Sequence, residues 1–193
     1  GADDATEFIE LVNTTDAPVS LRGVRVTSNK GAEQEERVVF SAGCLPARGA
    51  VAMFASPAAW VWSPMPTPVP TFQVSGYAFP NTVDFAFEVR DSAGVELDRG
   101  FGPAALIEGG VSATRNPELT GLFALHTDVA PGVNQSPGLC ANGGTFASGC
   151  EPGGMGGAGG AGGMGGAGGM GGAGGNPDPC APPAAGDLVV NEV

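Results

Sequence analysis

Lysine and histidine are almost missing from this chain: Lys30 and His126 are the sole example of each. Only 8 basic residues stand against 20 acidic ones, for a net charge of −12. Such a surface repels phosphate backbones, and with no basic stripe or aromatic–basic alternation, nucleic-acid binding is excluded as an expectation. Long apolar runs are missing too. None approaches the ~20 residues a membrane-spanning helix needs, so no span is expected. Cysteine is scarce and never arranged as CxxC, and His126 is distant from all four cysteines, so the spacing of a structural zinc site is absent. No G-x-S-x-G, H-E-x-x-H or P-loop occurs. His126 has no serine, cysteine or carboxylate tied to it by spacing and reads as a structural or exposed residue. No catalytic residue, no enzymatic activity and no cofactor are expected.

What is there points to an exported, all-β chain. The four cysteines, Cys44, Cys140, Cys150 and Cys180, lie in loop-like sequence and read as disulfides, which implies an oxidising compartment. Cys140 and Cys150 bracket a short glycine-rich loop and form the first candidate pair. That leaves Cys44 with Cys180, although four cysteines allow three connectivities. From residue 7 to about 129, short strands alternate with turn residues. Glu7 to Asn13 is one strand, with Ile9 and Leu11 inward; Thr14 to Pro18 is a turn cluster. Val19 to Leu21, Val24 to Thr27, Arg37 to Phe40 and Ala50 to Phe54 follow. Gly23 interrupts this series and marks a bulge or close packing. Glu33 to Glu36 reads as a solvated loop.

The clearest hairpin runs from Val83 to Asp98. Phe85, Phe87 and Val89 share a face with Val95 and Leu97, pairing Val89 with Leu97, Arg90 with Glu96 and Glu88 with Asp98. Ser92-Ala93-Gly94 is then the loop, with Gly94 free to take φ > 0. Residues 55–80 read as a long irregular loop with alternating Pro64, Pro66, Pro68 and Pro70. Trp60 and Trp62, just before these prolines, are either anchors or a carbohydrate-binding platform. Residues 153–175 repeat GGM or GGA and have no side chains to offset ordering entropy, so a disordered linker is expected over 153–179. Methionines 155, 164 and 170 within it do not form a credible metal site.

Carboxylates are the only dense constellation. Asp3, Asp4, Glu7 and Glu10 cluster near one end, and Glu88 and Asp98, facing each other on the hairpin, are the calcium candidates. A solvated acidic face is the competing reading, because Arg90 neutralises part of the charge and no D-x-D-x-D-G loop exists. Arg115, in Thr114-Arg115-Asn116-Pro117, is expected to pin a loop through carbonyls or an acid.

Residues 187–193 are strand-like again. Joined across the two chain ends, GDLVVNEV and GADDATEFIELVN form one strand–loop–strand unit, as in one period of a tandem array cut after the first strand of each unit. This pattern, Asn191-Glu192-Val193, then Glu7 to Asn13, then Thr15-Asp16 through Leu21 and Gly23, resembles the lamin tail domain family. Phe87 to Asp98, Ser112 to Pro117 and Ser136-Pro137-Gly138 add to the likeness, which spans residues 5–139 and 186–193. The resemblance implies an immunoglobulin-like β-sandwich, consistent with the strand spacing. It further implies a bacterial, exported module, and the linker is similar to those of myxobacterial surface proteins. The expected division is a sandwich over 1–152 lacking its first strand, a linker over 153–179, and the first strand of a following repeat over 180–193. An unpaired edge beside Glu7–Asn13 would be an aggregation template, so residues 187–193 are expected to fold back antiparallel to 7–13. The function expected is a secreted or surface module, outer-membrane-associated, used for adhesion, spacing or protein–protein contact with an unknown protein, a surface polymer or adjacent repeats. Alternatives are an accessory domain of a secreted hydrolase (a nuclease or phosphoesterase) and a carbohydrate- or calcium-binding module.

Overall fold

Period-two burial organises the chain: Phe85, Phe87 and Val89 are buried while Ala86, Glu88 and Arg90 between them are partly exposed. In the computed structural model, which describes residues 7–30, 33–75, 84–106, 109–150 and 180–193, this pattern builds an all-β sandwich. The linker expected over 153–179 lies outside the described residues. The first half carries β1 (Phe8–Asn13), β2 (Val19–Ser20), β3 (Arg25–Lys30), β4 (Glu33–Ala42), β5 (Cys44–Leu45), β6 (Ala50–Phe54), β7 (Val61–Ser63) and β8 (Thr71–Val74). Then come β9 (Phe85–Arg90), β10 (Glu96–Gly102), β11 (Ala113–Asn116), β12 (Leu122–Leu125), the one-turn helix α1 (His126–Val129) and β13 (Leu188–Glu192).

Two antiparallel sheets face each other. One has the order β12-β11-β13-β1-β6-β7 and the other β10-β9-β3-β4-β8, with β2 and β5 paired separately. Ile9, Leu11, Val51, Leu188 and Val190 of the first sheet meet Val26, Val38, Phe40, Phe85, Phe87 and Val89 of the second in one apolar core. The last strand, β13, sits between β11 and β1, antiparallel to β1 with Leu11 opposite Val190 and Val12 opposite Val189. The edge beside Glu7–Asn13 is therefore filled by the fold-back expected from the sequence.

Several local expectations change. Glu33 to Glu36 is not a loop but the first part of β4, paired with Lys30 to Thr27 of β3. Its side chains are largely exposed, so it lacks the apolar alternation that marks a half-buried strand. The stretch 55–80 is less irregular than its prolines imply, since β7 and β8 lie within it. Proline cannot donate to a ladder, and Pro64, Pro66, Pro68 and Pro70 all fall between these two edge strands, where the chain crosses from one sheet to the other.

In the β9–β10 hairpin, Arg90 faces Glu96 as expected, but a bulge sets Asp98 opposite Val89 and Arg99 opposite Glu88. The turn is the cause. The Asp91 carboxylate accepts from the N–H groups of Ala93 (2.9 Å) and Val95 (2.7 Å), which holds Val95 in the turn and leaves it exposed. Leu97 is the extra residue and still reaches the core. Gly94 takes φ 82°. Gly94→Ala is expected to lower stability by about 1 kcal/mol, the cost of a Cβ in left-handed backbone, read as a shift of the urea midpoint. Space is not the issue there, since nothing lies within 4 Å of the added atom. At Gly23 both constraints hold: φ is +75° and a Cβ would sit 2.5 Å from that of Ser92.

Strand β1 is buried on both faces, all six residues of it. Its second face is covered by the segment that follows β12. There Val12, Ala50 and Val189 pack against Cys140 and Phe146 in a smaller apolar cluster.

Candidate functional site

Both expected disulfides are present. Cys140 joins Cys150 and Cys44 joins Cys180, the latter pair separated by 136 residues in sequence. Glu118 lies close to the Cys140 and Cys150 sulfurs, but those sulfurs are bonded to each other and offer no thiolate to a metal.

The two tryptophans do not form a shared platform. Trp60 is buried, its ring stacked on Phe72 (centroids 4.0 Å apart, 12° between planes) and edge-on to Phe40 at 6.2 Å. Its indole N–H donates to the Phe54 carbonyl at 2.8 Å. Trp60 is thus the anchor that the sequence allows for. Trp62, with centroids 6.0 Å from Trp60, is partly exposed in β7.

The calcium candidates are separated by the same bulge that shifts the hairpin. Glu88 faces Arg99 across the ladder and accepts a bidentate pair from Arg90 Nε and Nη2 at 2.8 and 2.6 Å. Asp98 turns instead toward Arg115, accepting from its Nη2 at 3.1 and 2.9 Å. Arg115 does pin the chain through carbonyls and an acid. Its Nε donates to Val190 O at 2.7 Å and its Nη1 to Gly121 O at 3.0 Å, while the guanidinium lies 5.0 Å from the Phe123 ring centroid. Asp98 Oδ2 also accepts from Val190 N–H at 2.8 Å. Where β11 and β13 part after the Thr114–Glu192 pair, this ion pair therefore takes over both backbone groups of Val190.

The densest polar constellation escaped the sequence reading. A register shift in the β1–β13 pair brings Glu10 opposite Glu192 while Leu11 faces Val190, and Asn191 is the residue inserted between them. Glu10, Asn191 and Glu192 are all fully buried, so Glu10 does not belong to a solvated acidic cluster. The covering segment supplies their partners. Gly138 N–H donates to Glu10 Oε2 at 2.5 Å, Ser136 N–H to Glu192 Oε1 at 3.0 Å and Ala141 N–H to Glu118 Oε1 at 2.9 Å. Asn191 bridges the set, donating to Glu10 Oε1 at 3.2 Å and accepting from Leu119 N–H at 2.9 Å. Ser112 Oγ donates to Glu192 Oε1 at 2.5 Å.

His126 is completely buried beside this group. Its Nδ1 donates to the Val133 carbonyl at 3.0 Å, and its Nε2 lies 2.9 Å from Ser136 Oγ, which in turn contacts Glu192 Oε2 at 2.9 Å. Serine, histidine and carboxylate thus meet, but the serine stands between the other two and all three are sealed from solvent. What the arrangement does is satisfy the buried backbone of an irregular segment, which no strand partner reaches. Burial, with the Glu192 carboxylate adding to it, pushes Glu10 well above the ordinary carboxylate range. Burial also raises Glu118, against the N–H bond from Ala141. Sequence alternation places Glu10 outward, between Ile9 and Leu11, but sets Glu192 inward with Leu188 and Val190, and only the bulge at Asn191 brings Glu192 to Glu10's side. Nothing in the order of residues announces that 133–141 will lie over them.

Among the described residues no helix is long and apolar enough to cross a membrane. No protein-family model, no curated protein and no solved structure matches this chain.

Proposed function

We infer that the chain is a non-catalytic extracellular or cell-surface module, an immunoglobulin-like sandwich of the lamin-tail type used for adhesion, spacing or protein contact within a tandem array. The observation that carries this reading is the commitment of all four cysteines to two disulfides, a bonding state that persists in oxidising compartments. The internal use of the polar groups supports it: Glu10, Glu192, Ser136 and His126 are buried and bonded to one another or to backbone, as in a scaffold. The acidic surface favours solubility over association with nucleic acid.

Protease shaving of intact cells of the source organism, followed by non-reducing mass spectrometry, tests the reading. Peptides released from the surface with Cys44 joined to Cys180 and Cys140 to Cys150 are the expected result. Recovery of the protein only from the cytosol, with four free thiols, would remove it. Flanking copies of the same sandwich in the full reading frame support the array; a hydrolase motif there favours the accessory role instead.

A further inference from the structure

We propose that residues 180–193 act as a donor strand, and that the slot between β1 and β11 accepts this segment from a second copy of the chain. Among the described residues, the groups outside the segment that hold it all come from residues up to 150. Its backbone pairs with β1 and, at Thr114–Glu192, with β11. Ala113 and Val193 exchange two backbone hydrogen bonds of 2.8 and 2.9 Å, Thr14 N–H donates to Asp187 O at 2.8 Å, Ser20 N–H to Ala181 O at 2.7 Å, and Gly186 N–H to Leu97 O at 3.0 Å. Asp98 and Arg115 take the Val190 backbone groups, and Leu188 and Val190 enter the main core. None of these contacts depends on which chain supplies the strand.

The covalent path back to the body is residues 151–179, between the two cysteines Cys150 and Cys180. At ~3.3–3.6 Å per residue this path can extend to about 100 Å, enough to reach a neighbouring molecule. Closed and exchanged forms make the same bonds and differ chiefly in the entropy of closure. Effective concentrations of short tethers are about millimolar, so exchange competes where copies are crowded. The Cys44–Cys180 bond then becomes a seal between molecules: the two thiols lose two protons and two electrons to a low-molecular-weight disulfide, which leaves as two thiols. Head-to-tail repetition of this contact is heterologous and need not close.

Two measurements test the exchange. Cys44→Ser and Cys180→Ser chains, reduced, mixed and refolded with glutathione disulfide, can form the Cys44–Cys180 bond only between molecules. A covalent heterodimer carrying that linked peptide is expected, and it is expected to disappear when the Cys44→Ser copy also carries Val190→Pro, which removes the N–H that Asp98 accepts. Equal yields of Cys180–Cys180 homodimer, or a heterodimer indifferent to Val190→Pro, would mean random oxidation and overturn the proposal. Wild-type chain refolded as a mixture of nitrogen-14 and nitrogen-15 copies provides the second readout. Hybrid Cys44–Cys180 peptides are expected to rise with protein concentration; their absence at every concentration, with monomer refolding intact, overturns the proposal equally.

Discussion

Asp98→Ala and Arg115→Met are each expected to destabilise the sandwich by about 3–5 kcal/mol, the cost of leaving one charge of a buried pair without its partner. Side-chain exposure is only 12% for Arg115 and 15% for Asp98, so solvent does little to screen either charge. More than the pair is lost in each case. Without Asp98 the Val190 N–H loses its acceptor, and without Arg115 the Val190 and Gly121 carbonyls lose their donor. Burial is the largest influence on Asp98 and raises its pKa, with Val190 N–H and Arg115 opposing it. For a domain of this size about 2–4 °C of melting temperature accompanies each kcal/mol, so a drop on the order of 10 °C should appear by calorimetry. The double variant should lose less than the sum of the two, because residues in one network are not additive. Single variants that melt within a degree or two of wild type would show that the pair is not what ties β10 to β13.

Glu10 sets the second large expectation, a stability that declines as pH rises. A group whose pKa is higher in the folded state than in the unfolded one binds more protons when folded. Its contribution is fully present below the ordinary carboxylate value and is lost as pH climbs through the raised folded value. Glu10 is raised by burial and then by Glu192; Glu118 and Asp98, raised chiefly by burial, act in the same direction. The opposing groups are Asp16, lowered by Arg48, and Glu96, lowered by Arg99. Their contributions are lost only on acidification through their lowered values, and both are exposed surface pairs of small worth. Urea midpoints should therefore fall between mildly acidic and alkaline pH, and Glu10→Gln should flatten that slope while keeping an acceptor for Gly138 N–H. A slope of opposite sign, or one unchanged in Glu10→Gln, counts against the assignment.

Much of the sandwich was legible because one face of each strand is apolar. Phe85, Phe87 and Val89 mark their strand by period two, and the 187–193 segment declared its place through the edge it could cover. The Cys140–Cys150 bond was suggested by the short glycine-rich loop it brackets, whereas Cys44–Cys180 was only the pair left over, and Cys44 lies in strand β5 instead of the loop its sequence suggested. The failures have a common cause in features that alternation does not encode. Bulges at Glu96/Asp98 and Glu10/Leu11 shift registers by one residue, and a shift of one exchanges the faces. That is why Glu88 and Asp98 part company. Glu10 was misplaced for a second reason: on a strand covered on one face it would be solvated, but residues 133–141 cover the other face as well. Strand β8 was hidden behind four prolines, and the outer part of β4 behind four polar residues in a row.

The position of β13 also dictates an order of events. The sheet is completed in its middle, between β1 from one end of the sequence and β11, by residues synthesised after both. Pairings this distant in sequence are slow to form, since closure of the whole intervening chain precedes them. At roughly 5–20 residues per second of synthesis, β1 waits many seconds for a neighbour that does not yet exist. Until residues 188–192 are delivered, the six-stranded sheet stays divided, with β12 and β11 on one side of the gap and β1, β6 and β7 on the other.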